Sequence, residues 1–188
     1  MGSFLRRRPK LPAALKPALE PEERVLTWAP VAEDKALVAT NLGLWLPEGL
    51  SQPAAENPRV KTMRRLGWHE IHKAAWSGRE LRVTPAEVAE DRDEYLVLVD
   101  GPVVGFLLLE PGELPDQVRT RVSRSVAYTS HHQLSAGGVR VVGRRVPGRN
   151  GLSWAVRYDS GTPVKLPAVV ELTGELVSAA QGATAPPD

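Results

Sequence analysis

Residues 68–83 read W-H-E-I-H-K-A-A-W-S-G-R-E-L-R-V, and two structures compete for them. The opening residues look like H-E-x-x-H, the helical signature in which two histidines at i and i+4 hold one zinc ion while the Glu serves as general base. Here the histidines are His69 and His72, three apart, and Lys73 stands where the second ligand belongs. The residues after Lys73 alternate in hydropathy, meet the turn pair Ser77-Gly78, and alternate again through Glu80, Leu81, Arg82 and Val83. That is the pattern of a β-hairpin. On a strand, odd spacing sends His69 and His72 to opposite faces. The other two histidines, His131 and His132, are adjacent and diverge in the same way. The stretch is therefore read as strand, with His69 exposed near a turn and His72 packed beside Ala74 and Trp76. No metal is expected.

Working outward, the remainder supports a mainly β (α+β) chain. Its 188 residues suffice for one ordinary domain or a small domain with an appendage. Short apolar runs at 24–29, 36–41, 44–46, 71–76, 80–83, 94–99 and 103–109 predict seven strands, with a Pro-rich loop over 47–62. Asp100-Gly101 lies between two apolar runs and reads as a hairpin turn. Both of its strands are apolar on both faces, which places them mid-core. At Leu114 the period changes: Leu114, Val118, Val122 and Val126 recur every four residues, and Pro115 suits a first helical turn. This predicts a helix over 115–125. Residues 127–134, 139–146 and 153–159 read as a three-stranded antiparallel meander. A closing helix over 168–180 presents Val169, Leu172, Leu176 and Ala179 on one side. The organisation expected is a flexible basic Pro-rich arm (1–19), a seven-stranded barrel capped by an amphipathic helix (20–125), a meander plus helix (126–181) and a disordered tail (182–188).

Composition excludes several functions. With no Cys there is no disulfide, thiol catalysis or Cys-based zinc site. No run approaches the ~20 apolar residues of a membrane helix. The N-terminus has charge but no apolar core, so it does not read as a secretory leader. Arg6 stands where myristoylation requires Ser or Thr. A cytoplasmic location is expected, with the inner face of the membrane as a second place of action. Ser130-His131-His132 is a local cluster, but a catalytic triad is a spatial arrangement and adjacency in sequence does not make one. With no Gly-Lys-Ser/Thr loop or G-x-G-x-x-G either, no enzyme activity and no cofactor are expected.

Seven short strands followed by one amphipathic helix resemble the bacterial pleckstrin-homology-like (PH-like, GRAM-type) barrel. The stretches A-L-V-A-T-N-L-G-L-W-L (36–46) and R-R-L-G-W-H-E-I-H-K-A-A-W-S-G-R-E-L-R-V (64–83) carry the resemblance, which spans roughly 22–125. It implies two near-orthogonal sheets plugged by a helix. The final third resembles the tails of actinobacterial proteins without an assigned activity. Inositol-lipid binding in this family uses basic residues between the first two strands. Here that loop is Val31-Ala32-Glu33-Asp34-Lys35, whose two acids repel a phosphorylated head group. PH-like folds also serve as protein-interaction modules.

The largest charge feature is an Arg set over 115–160: Arg119, Arg121, Arg124, Arg140, Arg144, Arg145, Arg149 and Arg157, against Asp116 and Asp159. Arg140 and Arg144 alternate with Val142 onto one strand face. The first seven of these Arg are the expected contact face for an acidic protein partner. The competing reading is a solvated face interleaved with acids. Phe4, Leu5, Arg6, Arg7 and Arg8 are a second candidate, for contact with an anionic membrane. Nucleic acid is not expected, since no RNA- or DNA-binding motif occurs and the Trp154/Tyr158 face reads as core. The sequence leaves oligomeric state open.

Overall fold

The computed structural model describes residues 10–32, 34–47 and 63–185. It is mainly β, with two helices. Strands β1 (Val25–Val31), β2 (Lys35–Thr40), β3 (Gly43–Pro47) and β4 (Met63–Gly67) form one antiparallel sheet in that order. A single helical turn, Trp68–Glu70, leads into the second sheet. Its strands are β5 (Ile71–Trp76), β6 (Glu80–Asp91), β7 (Leu96–Asp100), β8 (Val104–Leu107), β9 (Val126–Gln133), β10 (Gly138–Arg145) and β11 (Leu152–Tyr158). They run in the order β5-β6-β7-β11-β10-β9, with β8 also on β6, and curl into a half-barrel. Helix α1 (Leu114–Ser125) runs directly into β9, and α2 (Pro167–Thr184) closes the chain.

The hairpin that decides the fold is present. β5 and β6 pair antiparallel around Ser77-Gly78, with Gly78 in the left-handed region at φ 91°. Strand β4 is not anticipated by the sequence. It pairs with β3 from Gly43↔Gly67 to Pro47↔Met63, and its Arg64-Arg65 pair hides the alternation.

The second hairpin expectation is overturned. The strands flanking Asp100-Gly101 do not pair with each other. Strand β6 continues to Asp91, well past the expected end at Val83, and gives β8 its first half and β7 its second. Two features explain this. A tight primed turn demands positive φ at its Gly, and Gly101 is absent from the positive-φ positions. Pro102 then removes the next backbone donor. Gly101 donates its N–H to Pro85 O instead. Nor do these strands lie mid-core on both faces. Phe106 and Leu108 are buried, whereas Val99, Val103, Leu107 and Leu109 are exposed.

Two cores result. The first joins both sheets to α1: Ala29, Leu37, Leu44, Trp68, Ile71, Leu81, Val83, Phe106, Leu114 and Val118 belong to it. The second lies between α2 and the sheet β7-β11-β10, built on Val97, Val139, Val141, Val156, Val169 and Val177. As read from the sequence, Val156 faces this core with Trp154 and Tyr158 packed against it. Parallel pairing of β11 with β7 (Ala155↔Leu96, Val156↔Val97) makes the C-terminal meander continuous with the strands before residue 125.

The buried stripe of α2 differs from the one expected. Val169, Thr173, Val177 and Ala180 are buried, while Leu172 is 42% exposed. A polar residue displaces a leucine because its bonds are waiting. Thr173 Oγ1 accepts from Tyr158 Oη at 2.9 Å and donates to Val169 O at 2.7 Å. Arg92 in turn donates to Tyr158 Oη and to Val164 O, tying the approach to α2 onto the sheet. The helix also runs past the expected start of the tail at 182. Its cap, Ala185, has a ψ of 138°, the extended geometry favoured before a Pro.

Candidate functional site

Helix α1 buries Leu114, Val118 and Ser125. Positions three apart lie along one helical side, so Arg121 and Arg124 stack near its C-terminal end while Arg119 points elsewhere. Beyond β10, residues 147–151 form a loop with Gly148 and Gly151 at φ 77° and 80°. These left-handed positions, open to Gly at little cost, fold the loop so that Arg149 N–H donates to Val146 O at 3.1 Å. The loop thereby faces the end of α1.

Between them opens a pocket of about 560 Å3 lined by Arg121, Arg124, Arg145 and Arg149, together with Asn41, Trp68, Asn150 and Leu152 among others. No carboxylate lines it. None of the four arginines forms an ion pair among the described residues. Arg145 is partly committed: its Nη1 donates to Arg124 O at 3.2 Å, satisfying a carbonyl at the helix end. Arg121 Nε is buried with no acceptor. Asn41 is engaged with the backbone of Arg24 and Glu22, and Trp68 is a buried wall whose Nε1 donates to Thr40 O. A second pocket, of about 270 Å3, has Arg64 and Arg65 opposed by Glu70 and Glu87 in its lining. It carries no comparable charge bias.

Arg144 deepens the bias. Expected on the exposed contact face, it is instead 9% exposed and donates to Ile71 O at 3.0 Å and Ser125 Oγ at 3.1 Å. β10 and β5 stand far apart in the strand order, so this side chain ties the curled sheet across itself and to the end of α1. Among the described residues it has no carboxylate partner; burial, then the charge of Arg157, lowers its pKa from the usual guanidinium value. Burial likewise holds His69 below its ordinary value. Glu70 opposes this, and Arg144 and Arg149 reinforce it.

Of the seven expected contact residues, the fold thus gathers Arg121, Arg124, Arg145 and Arg149, buries Arg144, and leaves Arg119 and Arg140 exposed outside the pocket lining. Arg140 pairs across strands with Arg157 and His131, on the sheet face turned away from α2. Val142, which shares that strand face, is buried. Phe4, Leu5, Arg6, Arg7 and Arg8, and Glu33 of the β1–β2 loop, lie outside the described residues.

A second polar cluster was not legible in the sequence. His72 sits at a register shift between Ile71 and Lys73, a bulge of the kind that re-aims a side chain. Its Nδ1 lies 2.8 Å from Asp100 Oδ1, which also accepts from Arg157 at 2.8 Å. Burial is the main cause that lowers the His72 pKa. Its Nε2 is buried and reaches no partner, so it presents no accessible base. Among the described residues no group of three or more metal-ligating side chains converges, and no helix is long and apolar enough to cross a membrane. Comparison with protein-family models, curated proteins and solved structures finds no match.

Proposed function

We propose that this chain is a non-enzymatic interaction module that docks an acidic segment of a protein partner into the arginine-lined pocket. One observation carries the reading. Four arginines from α1, β10 and the β10–β11 loop line a single open pocket, with no acid among its described lining residues. Guanidinium forks match carboxylate geometry and are weakly hydrated for cations, so they suit contacts that lose water on binding. The reading includes a PH-like barrel, formed by the four-stranded sheet with β5, β6, β8 and α1 around one core, as the scaffold that holds the pocket's inner wall.

The test uses a short fluorescein-labelled peptide of Glu, Asp and Ser, followed by anisotropy against the full chain. Saturable binding that weakens steeply with added salt is expected. The double variant R124E/R149E, at two exposed positions, is expected to abolish it while leaving the thermal melt unchanged. Equal binding by parent and variant overturns the proposal. Arg144 is unsuitable for such a test, because its replacement removes contacts inside the fold.

A further inference from the structure

We infer that the group seated in this pocket is a phosphomonoester carried by the acidic segment, a phosphoserine or phosphothreonine; the inference rests on the docking reading above. Donor arithmetic is the basis. A carboxylate offers two oxygens and one charge, enough to occupy one guanidinium fork. Four arginines line the pocket, and among the described residues only Arg145 of these has a side-chain hydrogen bond, to Arg124 O. A phosphomonoester brings three acceptor oxygens and a charge of about −1.5 to −2 at neutral pH. It can therefore accept from several forks at once.

The surroundings point the same way. Arg121 keeps a buried Nε–H without an acceptor at the pocket wall. Arg144, beside Ser125 of the lining, adds a cation with no carboxylate partner. Clustered cations repel one another until a counter-charge arrives, and a dianion offsets more of that repulsion than a single carboxylate. The pocket is open rather than a closed cavity, which suits a side chain presented on a peptide. Its walls of Trp68, Val146, Pro147 and Leu152 offer apolar contact to the residues flanking the phosphate.

Three peptides of one sequence, carrying Ser, Glu or phosphoserine at the central position, separate the two proposals. The phosphoserine peptide is expected to bind about tenfold or more tightly than the Glu peptide, as one to three new charge-assisted hydrogen bonds allow. The variant R124K/R149K keeps charge but loses the forks. It is expected to retain binding of the Glu peptide and to lose most of the preference for phosphoserine. If the Glu and phosphoserine peptides bind equally well, acidic docking stands and the phosphate inference is overturned. If no peptide binds, both fall. Binding to vesicles of anionic phospholipid without binding to any peptide assigns the pocket to a membrane surface and also overturns both. Inorganic phosphate is expected to compete with the phosphoserine peptide; failure to compete at any concentration overturns the phosphate inference.

Discussion

Glu23 is the residue on which the first sheet depends. Its side chain is fully buried, a state that carboxylates adopt only when paired. It accepts from Thr40 Oγ1 at 2.6 Å, Trp45 Nε1 at 2.8 Å, Arg65 Nη1 at 2.8 Å and the Glu20 N–H at 3.2 Å. Arg65 reaches onward to Glu20 and lies over the Trp45 ring. Burial alone would raise the Glu23 pKa; these hydrogen bonds and the Arg65 charge outweigh it and hold the carboxyl below its ordinary value of 4.5. A depressed pKa means the folded state binds fewer protons than the unfolded one. The stabilisation is therefore present above the unfolded value and lost as pH falls through the folded one. Glu23→Gln leaves two donors facing the side-chain NH2, whichever oxygen it replaces, and is expected to cost about 2–4 kcal/mol at neutral pH. Urea denaturation should show that cost shrinking below about pH 4.5. A cost independent of pH would mean that shape, rather than charge, matters at this site.

Among the elements, β3 and β4 approach each other closely at their glycines. Gly43 sits opposite Gly67, and a Cβ at position 43 would run into the Leu66 carbonyl. Backbone, unlike the end of a long side chain, has nowhere to swing. Gly43→Ala is expected to destabilise by about 1–3 kcal/mol, with the loss appearing as a lower melting temperature in circular dichroism. An unchanged melt would show that β4 yields at its edge. Strand β6 illustrates what local sequence omits. Its first half reads as a hairpin arm, and the rest, P-A-E-V-A-E-D, carries no strand signal of its own. It becomes strand because β7 lies beside it, from Ala86↔Asp100 to Asp91↔Leu96. Tertiary pairing outweighs weak local preference here, as it commonly does for β structure.

At the scale of the molecule, β6 supplies Leu81 and Val83 to the first core and pairs with β7 of the second, and Arg144 adds a further tie, but the two apolar clusters stay separate. Helix α2 covers only the second. Ending the chain at residue 165 exposes Val139, Val141 and Val156, which are now completely buried. The truncated chain is expected to bind a hydrophobic dye and to lose amide-exchange protection in β9–β11, while β1–β3 stay protected. Loss of protection everywhere would instead make the molecule one cooperative unit. The net charge of +2 is modest, so the pocket's charge bias comes from how charge is distributed; if the proposed docking holds, binding is expected to be more salt-sensitive than the net charge suggests.

Local chemistry in the sequence was enough for most strands, both helices and the Ser77-Gly78 hairpin. Each depends on periodicity or turn residues within a few positions. It was also enough to single out the arginines as the dominant charge feature, because composition needs no geometry. Three-dimensional contact decided the rest. Arg144 and Arg145 are neighbours in sequence, yet one is buried against Ile71 O and the other stands exposed at the pocket. Thr173 took the buried position expected of Leu172 because Tyr158, fifteen residues earlier, supplies its hydrogen bond. Asp100-Gly101 turned no hairpin because β6, His72 and Arg157 claim its groups. A side chain's periodicity is a local property, whereas its burial and its partners are set by strands that meet only after the sheet has curled.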